Sequence, residues 1–388
     1  MFVDLTPEQH ALRLKVRDYF QNLMTPELRS ELRGKEGGDL YRNTVRKMGA
    51  DGWLAVGWPK EHGGQGYAAT EQLIFFEEAN IAGAPLPFVT ISTVGPALME
   101  AGSDLQKKKF LPGIAAGEIM FAIGYSEPEA GSDLATLKTT ARLEGDHFVV
   151  NGNKLWTSGA EAADYVWLAA RTDPSLPRHK GVSILILDTQ AEGFSHTVIH
   201  TCSNPTAATY YDNVKVPKDM LVGEMNGGWK LITAQLNHER LGLGSWADKV
   251  VSLFRRVYLW AKAEDERGNR AVDKPWVRSL LAECYARLEA MRLINFRIAA
   301  DLERGQMDVA LASTTKVYGS ESVVEIVRKL SEIVGANGLV REGSAAAALL
   351  GELEYEVRAC VTNTFGGGTN EIQRELIAQF GLGMPRSR

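Results

Sequence analysis

Cysteine is scarce in this chain. Cys202, Cys284 and Cys360 are scattered through 388 residues, with no CxxC spacing. That usage excludes a disulfide framework and a cysteine-based zinc site, and it fits a reducing compartment. The seven histidines show no metal-ligand spacing, so no metal is expected. No apolar run reaches membrane-spanning length, and no signal-like segment precedes the first helical pattern. No membrane association is therefore expected, and the cytoplasm is the expected location. Positive charge is in deficit: 43 Lys and Arg against 48 Asp and Glu leave a net charge of −5. A nucleic-acid partner is not expected, and an anionic ligand would need locally gathered cations. Repeats, low-complexity linkers and charge blocks are missing too.

What remains is an ordinary globular composition, 45% hydrophobic and 23% charged, in a chain too long for one simple core. Three regions are expected. Residues 1–118 are helical in pattern, opening with Thr6-Pro7-Glu8-Gln9, a hydroxyl cap followed by Pro and a Gln three residues on. Residues 119–225 form a small β-domain. Its strands are expected at Tyr165–Arg171, Val182–Leu187 and Thr209–Tyr211, and a hairpin is expected to turn at Asn151-Gly152. Residues 226–388 return to a helical pattern.

The densest signal runs from Gly124 to Ser158. It begins Gly124-Tyr125-Ser126-Glu127-Pro128-Glu129-Ala130-Gly131-Ser132-Asp133 and ends Trp156-Thr157-Ser158. Pro and Gly among small hydroxyls leave backbone amides bare for a ligand, and a strand-end Trp adds a flat wall. A ring cofactor with a phosphate tail needs both. A lone strand-end Trp is more often core, so the combination carries the weight.

A second signal lies on one helical stripe. Ile232, Leu236, Glu239, Leu243, Trp246, Val250, Leu253, Val257 and Trp260 recur at spacings of three and four, and only Glu239 is polar. A carboxylate on an apolar face is costly unless paired or protonated. Two readings stand: an ion pair, with Arg240 beside it, or a general base whose pKa is raised by its surroundings.

Over essentially its whole length the chain resembles the acyl-CoA dehydrogenase flavoproteins. The resemblance implies an α+β multidomain fold: an N-terminal all-α domain, a middle β-barrel or β-sandwich domain and a C-terminal four-helix bundle. It implies FAD, an acyl-CoA substrate, α-proton abstraction by a glutamate and β-hydride transfer to flavin N5. The family places its base at one of two sites. In Phe365-Gly366-Gly367-Gly368-Thr369 a Gly, Gly367, stands where one base would be. Leu236-Asn237-His238-Glu239-Arg240 matches the other, which makes Glu239 the expected catalytic residue. By the same resemblance Gly367 N–H holds the thioester carbonyl. Ser158 meets N5, Trp156 backs the isoalloxazine, and Ile123, Gly124, Tyr125, Ser126, Gly131, Ser132, Thr157, Thr369 and Glu371 complete the cofactor site. Ser132, Asn237, His238 and Arg240 are assigned to substrate.

Departures from the family pattern suggest a partner. Homotetrameric members carry an Arg-x-x-Phe-Gly motif that reaches a neighbour's FAD. The stretch from Trp260 to Arg270 lacks it, and Glu332 replaces a glutamine. Identical copies would then not complete each other's sites. The wording Gly57-Trp58-Pro59-Lys60-Glu61, Gln235 to Arg240 and Thr364 to Glu371 is similar to catalytic-glutamate subunits of heterotetrameric (α2β2) bacterial steroid side-chain acyl-CoA dehydrogenases. That similarity implies a second, non-identical subunit, a steroid side-chain CoA substrate and an electron-transfer flavoprotein as acceptor. The alternatives are a homomeric enzyme for branched or medium- to long-chain acyl-CoA, a non-catalytic stabilising subunit, and a flavin oxidase or monooxygenase.

Overall fold

A computed structural model describes residues 4–235, 248–306 and 308–386. Thr6 caps α1 (Pro7–Leu23) as its sequence requires. Its hydroxyl accepts from Gln9 N at 3.3 Å, and Gln9 Oε1 accepts from Thr6 N at 3.0 Å. Then come α2 (Pro26–Leu32), α3 (Gly38–Ala50), α4 (Ala69–Ala82), α5 (Gly95–Ala101) and α6 (Asp104–Ala115). Ser103 and Gln106 cap α6 in the same reciprocal way. The Gln106 amide then donates to Asp219 O at 2.7 Å and Leu221 O at 2.9 Å.

Eight strands follow: β1 (Phe121–Gly124), β2 (Thr140–Glu144), β3 (His147–Lys154), β4 (Tyr165–Arg171), β5 (Val182–Asp188), β6 (Phe194–Ile199), β7 (Thr206–Pro217) and β8 (Leu221–Val222). Their order is β6-β7-β3-β2-β4-β5-β8, with β1 parallel to β4. β2 and β4 share only the Thr140–Arg171 pair, so the sheet bends there. Its two halves enclose a core of Phe148, Val150, Val214 and Val216 against Val166, Leu168, Leu185 and Leu187. The expected β-domain is present.

One local expectation fails. Asn151-Gly152 is not a hairpin turn but a bulge inside the continuous strand β3. The turn into β3 lies instead at Gly145, where φ is +65°. Asn151 Oδ1 accepts from Asn213 N at 2.9 Å, so an irregularity on β7 matches the bulge. A Cβ on Gly152 would lie 2.8 Å from Thr139 Cα, which only glycine avoids.

A further helix, α7, covers 228–235 up to the end of the described stretch. Beyond it lie α8 (Asp248–Lys262), α9 (Pro275–Glu303), α10 (Val309–Val334), α11 (Glu352–Ala359) and α12 (Asn370–Leu376). The chain divides into two compact units. One comprises residues 1–29, 68–84 and 240–388, and the other 30–67 and 85–239. In the first, Val250, Leu253, Val257 and Ala261 of α8 meet Leu281, Cys284 and Leu288 of α9 and Ile326, Val327 and Leu330 of α10. Ala261 takes the place expected of Trp260, which is 36% exposed. α1 lies on α4 through Phe20 and Phe75, with Arg17 paired to Glu78 beside them. The cysteines are free, and burial pushes the Cys284 and Cys360 thiols up to about 11.

Candidate active site

In the second unit, β1 delivers Ile123 and Gly124 to the Tyr125–Ser132 turn. Gly124 is buried, and a Cβ there would lie 2.8 Å from Val166 Cγ1 and 3.1 Å from Leu168 Cδ1. Its glycine is needed for packing against β4. The turn closes on itself through Glu127 N to Ala130 O at 2.9 Å and Ala130 N to Glu127 O at 3.1 Å. Gly131 and Ser132 are exposed beyond it, and a Cβ on Gly131 would meet open space.

A buried ion pair supports this turn from beneath. Lys154, at the end of β3, donates to Glu127 Oε1 and to Tyr125 O, both at 2.9 Å. Glu127 also accepts from Lys138 N at 2.6 Å and Thr139 N at 2.8 Å. Burial works against the Glu127 charge, but Lys154 and these donors outweigh it and hold the carboxyl below its ordinary range. Burial draws the Lys154 ammonium down to about 8, with Glu127 opposing the shift.

Tyr125 connects the turn to α7. Its hydroxyl accepts from Trp167 Nε1 at 3.1 Å and donates to Gln235 Oε1. Gln235 is 2% exposed, and among the described residues its buried Nε2 has no partner. An orphaned buried donor of this kind is costly unless a ligand satisfies it.

The Trp156-Thr157-Ser158 segment follows β3 after Leu155. Trp156 adopts φ +64°, a strained conformation for a bulky residue, and is 57% exposed. Thr157 is buried: its amide donates to Ala207 O at 2.9 Å, and its hydroxyl lies 3.3 Å from Thr209 Oγ1. Ser158 Oγ lies 3.0 Å from Thr206 Oγ1. An open indole plate, a bare turn and an unsatisfied amide beside Tyr125 suit a flat ring system with hydrogen-bonding edges.

The first unit holds the Phe365–Thr369 loop. Gly366 N donates to Thr362 O at 2.9 Å. Gly367 (φ +68°) and Gly368 (φ +96°) are left-handed and exposed, and among the described residues the Gly367 amide has no acceptor. Thr369 caps α12 through Ile372 N at 3.3 Å, so its hydroxyl is engaged locally. Glu371 is exposed on the first turn of that helix.

Leu236, Asn237, His238, Glu239 and Arg240 lie outside the described residues. No sequence motif marks Glu127, Lys154 or Gln235 as functional, and Trp167 reads from the sequence only as a core or interface filler with a hydrogen-bonded indole. Gln235 precedes the Glu239 motif and Glu127 lies within the quoted turn, so adjacency alone pointed to them. Lys154 gave no such signal, whereas the indole of buried Trp167 meets its expected partner in the Tyr125 hydroxyl.

Three family profiles cover the chain in sequence: acyl-CoA dehydrogenase N-terminal domain at residues 6–118, middle domain at 122–214 and C-terminal domain at 226–382. The acyl-CoA dehydrogenase FadE26 of Mycobacterium tuberculosis is 50% identical, over 100% of both chains. Among solved structures, the Tcur3481-Tcur3483 steroid ACAD superposes with a TM-score of 0.95 at 49% identity, over 100% of both chains. The ChsE4-ChsE5 complex from M. tuberculosis superposes with a TM-score of 0.93 at 50% identity, again over 100% of both chains. This chain belongs to the acyl-CoA dehydrogenases, a family of flavin-dependent oxidoreductases.

Proposed function

We propose that this chain is the base-bearing subunit of a heteromeric acyl-CoA dehydrogenase that desaturates a steroid side-chain CoA thioester. One observation carries the proposal. The Gly366–Thr369 loop offers an amide at Gly367 with no acceptor among the described residues and no carboxylate of its own, which leaves Glu239 as the base.

The reaction removes two hydrogens from adjacent carbons. Glu239 takes the α-hydrogen as a proton, and its former bonding pair becomes the new carbon–carbon double bond as hydride leaves the β-carbon. A thioester α-proton is a weak acid, so charge developing on the carbonyl oxygen must be stabilised; the Gly367 amide serves as one donor. FAD, when bound, supplies the hydride acceptor at N5. Tyr125, Ser126, Thr157, Ser158 and Trp156 would hold that ring system, and Gly131 and Ser132 would leave room for its phosphates. Holding the substrate β-carbon in register with the hydride acceptor converts binding energy into rate.

The partner follows from the missing Arg-x-x-Phe-Gly motif and from relatives whose names describe a two-component steroid enzyme and a two-chain complex. An electron-transfer flavoprotein is the proposed acceptor. Expression with and without a candidate second subunit tests the proposal. Stoichiometric FAD and turnover of a steroid side-chain CoA thioester are expected only in the complex. Tight FAD and full activity in the solitary chain would overturn the heteromer.

A further inference from the structure

Lys316 lies on α10, and its role is not visible in any sequence motif. Its ammonium donates to Thr364 O at 3.0 Å and to Asn370 Oδ1 at 2.7 Å. Thr364 is the residue just before the Phe365–Thr369 loop, and Asn370 is the residue just after it. One cation therefore ties both ends of the glycine loop to a single point on a 26-residue helix.

The tie is braced on the Asn370 side. Asn370 is 3% exposed, and its Nδ2 donates to Ser320 Oγ at 3.0 Å and Glu321 Oε1 at 3.1 Å. Glu321 is held in turn by Arg374, one turn further along α12. Ser320 and Glu321 sit one turn beyond Lys316, so three successive contacts fix Asn370 to the same helix face. The loop itself has little rigidity of its own. It contains three consecutive glycines, two of them at positive φ, the most permissive backbone a chain can carry.

We propose that Lys316 is a positioning residue that sets the direction of the Gly367 amide by tying Thr364 and Asn370 together. This rests on the reading that Gly367 N–H holds the thioester carbonyl. Burial draws the ammonium down to about 8, while Glu371 and Glu321 oppose the shift, as expected where placement outweighs solvation. A backbone donor must point at the developing oxyanion within a few tenths of an ångström, and misplacement by about 1 Å costs on the order of 100-fold in rate.

The test uses the full chain with its partner subunit and compares Lys316→Met, Lys316→Arg and Asn370→Ala with wild type. Hydrogen–deuterium exchange of the 362–372 segment is read without substrate. Lys316→Met and Asn370→Ala are expected to speed exchange there at least tenfold and leave the sheet unchanged. With the acyl-CoA that wild type turns over, kcat is expected to fall roughly 10- to 100-fold with KM and flavin absorbance nearly constant. Lys316→Arg, which keeps the cation and its donors, is expected to recover part of both effects. Unchanged exchange in the loop, or faster exchange with unchanged kcat, would overturn the proposal. A wild-type complex inactive on every acyl-CoA would overturn the proposed function instead, while the exchange result still decides whether the tie exists.

Discussion

Lys154 Nζ sits 2.9 Å from Glu127 Oε1, with the two side chains 0% and 5% exposed. The same ammonium reaches Tyr125 O, so a single buried cation holds the turn that faces the proposed ring site. Replacing Lys154 by Met leaves a buried carboxylate without its counter-charge. The expected loss is about 3–5 kcal/mol of unfolding free energy, measured by denaturant titration. Lys154→Met combined with Glu127→Gln should recover part of that loss, because the stranded charge is gone. A single variant as stable as wild type would show that the pair carries no structural role.

The same pair sets a pH dependence. The Glu127 carboxyl is held below its ordinary value in the folded chain, so its contribution is present above the unfolded value near 4.5. That contribution is lost as pH falls through the lower folded value. The stability gap between wild type and Glu127→Gln is therefore expected to be largest near pH 6 and to shrink on acidification below 4.5. Denaturant titrations of both proteins at pH 6 and pH 4 measure it, and a gap that widens in acid would contradict the assignment.

Local signals were legible in the sequence; distant pairings were not. The Thr6–Gln9 capping box needs only four residues, and it forms as written. β4 spans the very residues the hydrophobic pattern marked, because both of its faces are buried. Asn151-Gly152 misleads, since a dipeptide's turn preference yields when β2 and β7 pair on both sides of β3. Trp260 misleads for a related reason: helical spacing alone cannot choose between neighbouring positions on a stripe. Lys154 and Lys316 gave no signal at all. Their partners lie 27 residues away in one case and 48 and 54 in the other.

Gln235 separates a structural role from a ligand-binding one. Its Oε1 accepts from Tyr125, whereas its buried Nε2 has no partner among the described residues. Gln235→Leu removes the orphaned donor, so stability without cofactor is expected to change by less than about 1 kcal/mol. FAD affinity is expected to fall severalfold, read by flavin fluorescence quenching during titration. Equal affinity in both proteins would remove Gln235 from the ring site.

Gly367 adopts φ +68°, which an alanine occupies at a cost of about 1–2 kcal/mol. Gly343, at φ +87° and with nothing within 4 Å of an added Cβ, is a positive-φ control on another loop. Both Gly367→Ala and Gly343→Ala are expected to lower stability modestly. Only Gly367→Ala is expected to depress kcat, by at least tenfold in steady-state assays of the complex. Equal rates in the two variants would dissociate the Gly367 amide from the chemistry.

Glu239→Gln is nearly isosteric and removes only the capacity to accept a proton. Turnover of an acyl-CoA thioester by the co-expressed complex, measured together with flavin absorbance, tests the proton-abstraction step directly. The expected result is intact flavin binding with a rate lowered at least 1000-fold, in the range that general-base removal produces. A variant that desaturates its substrate at the wild-type rate would mean that some other group takes the α-proton.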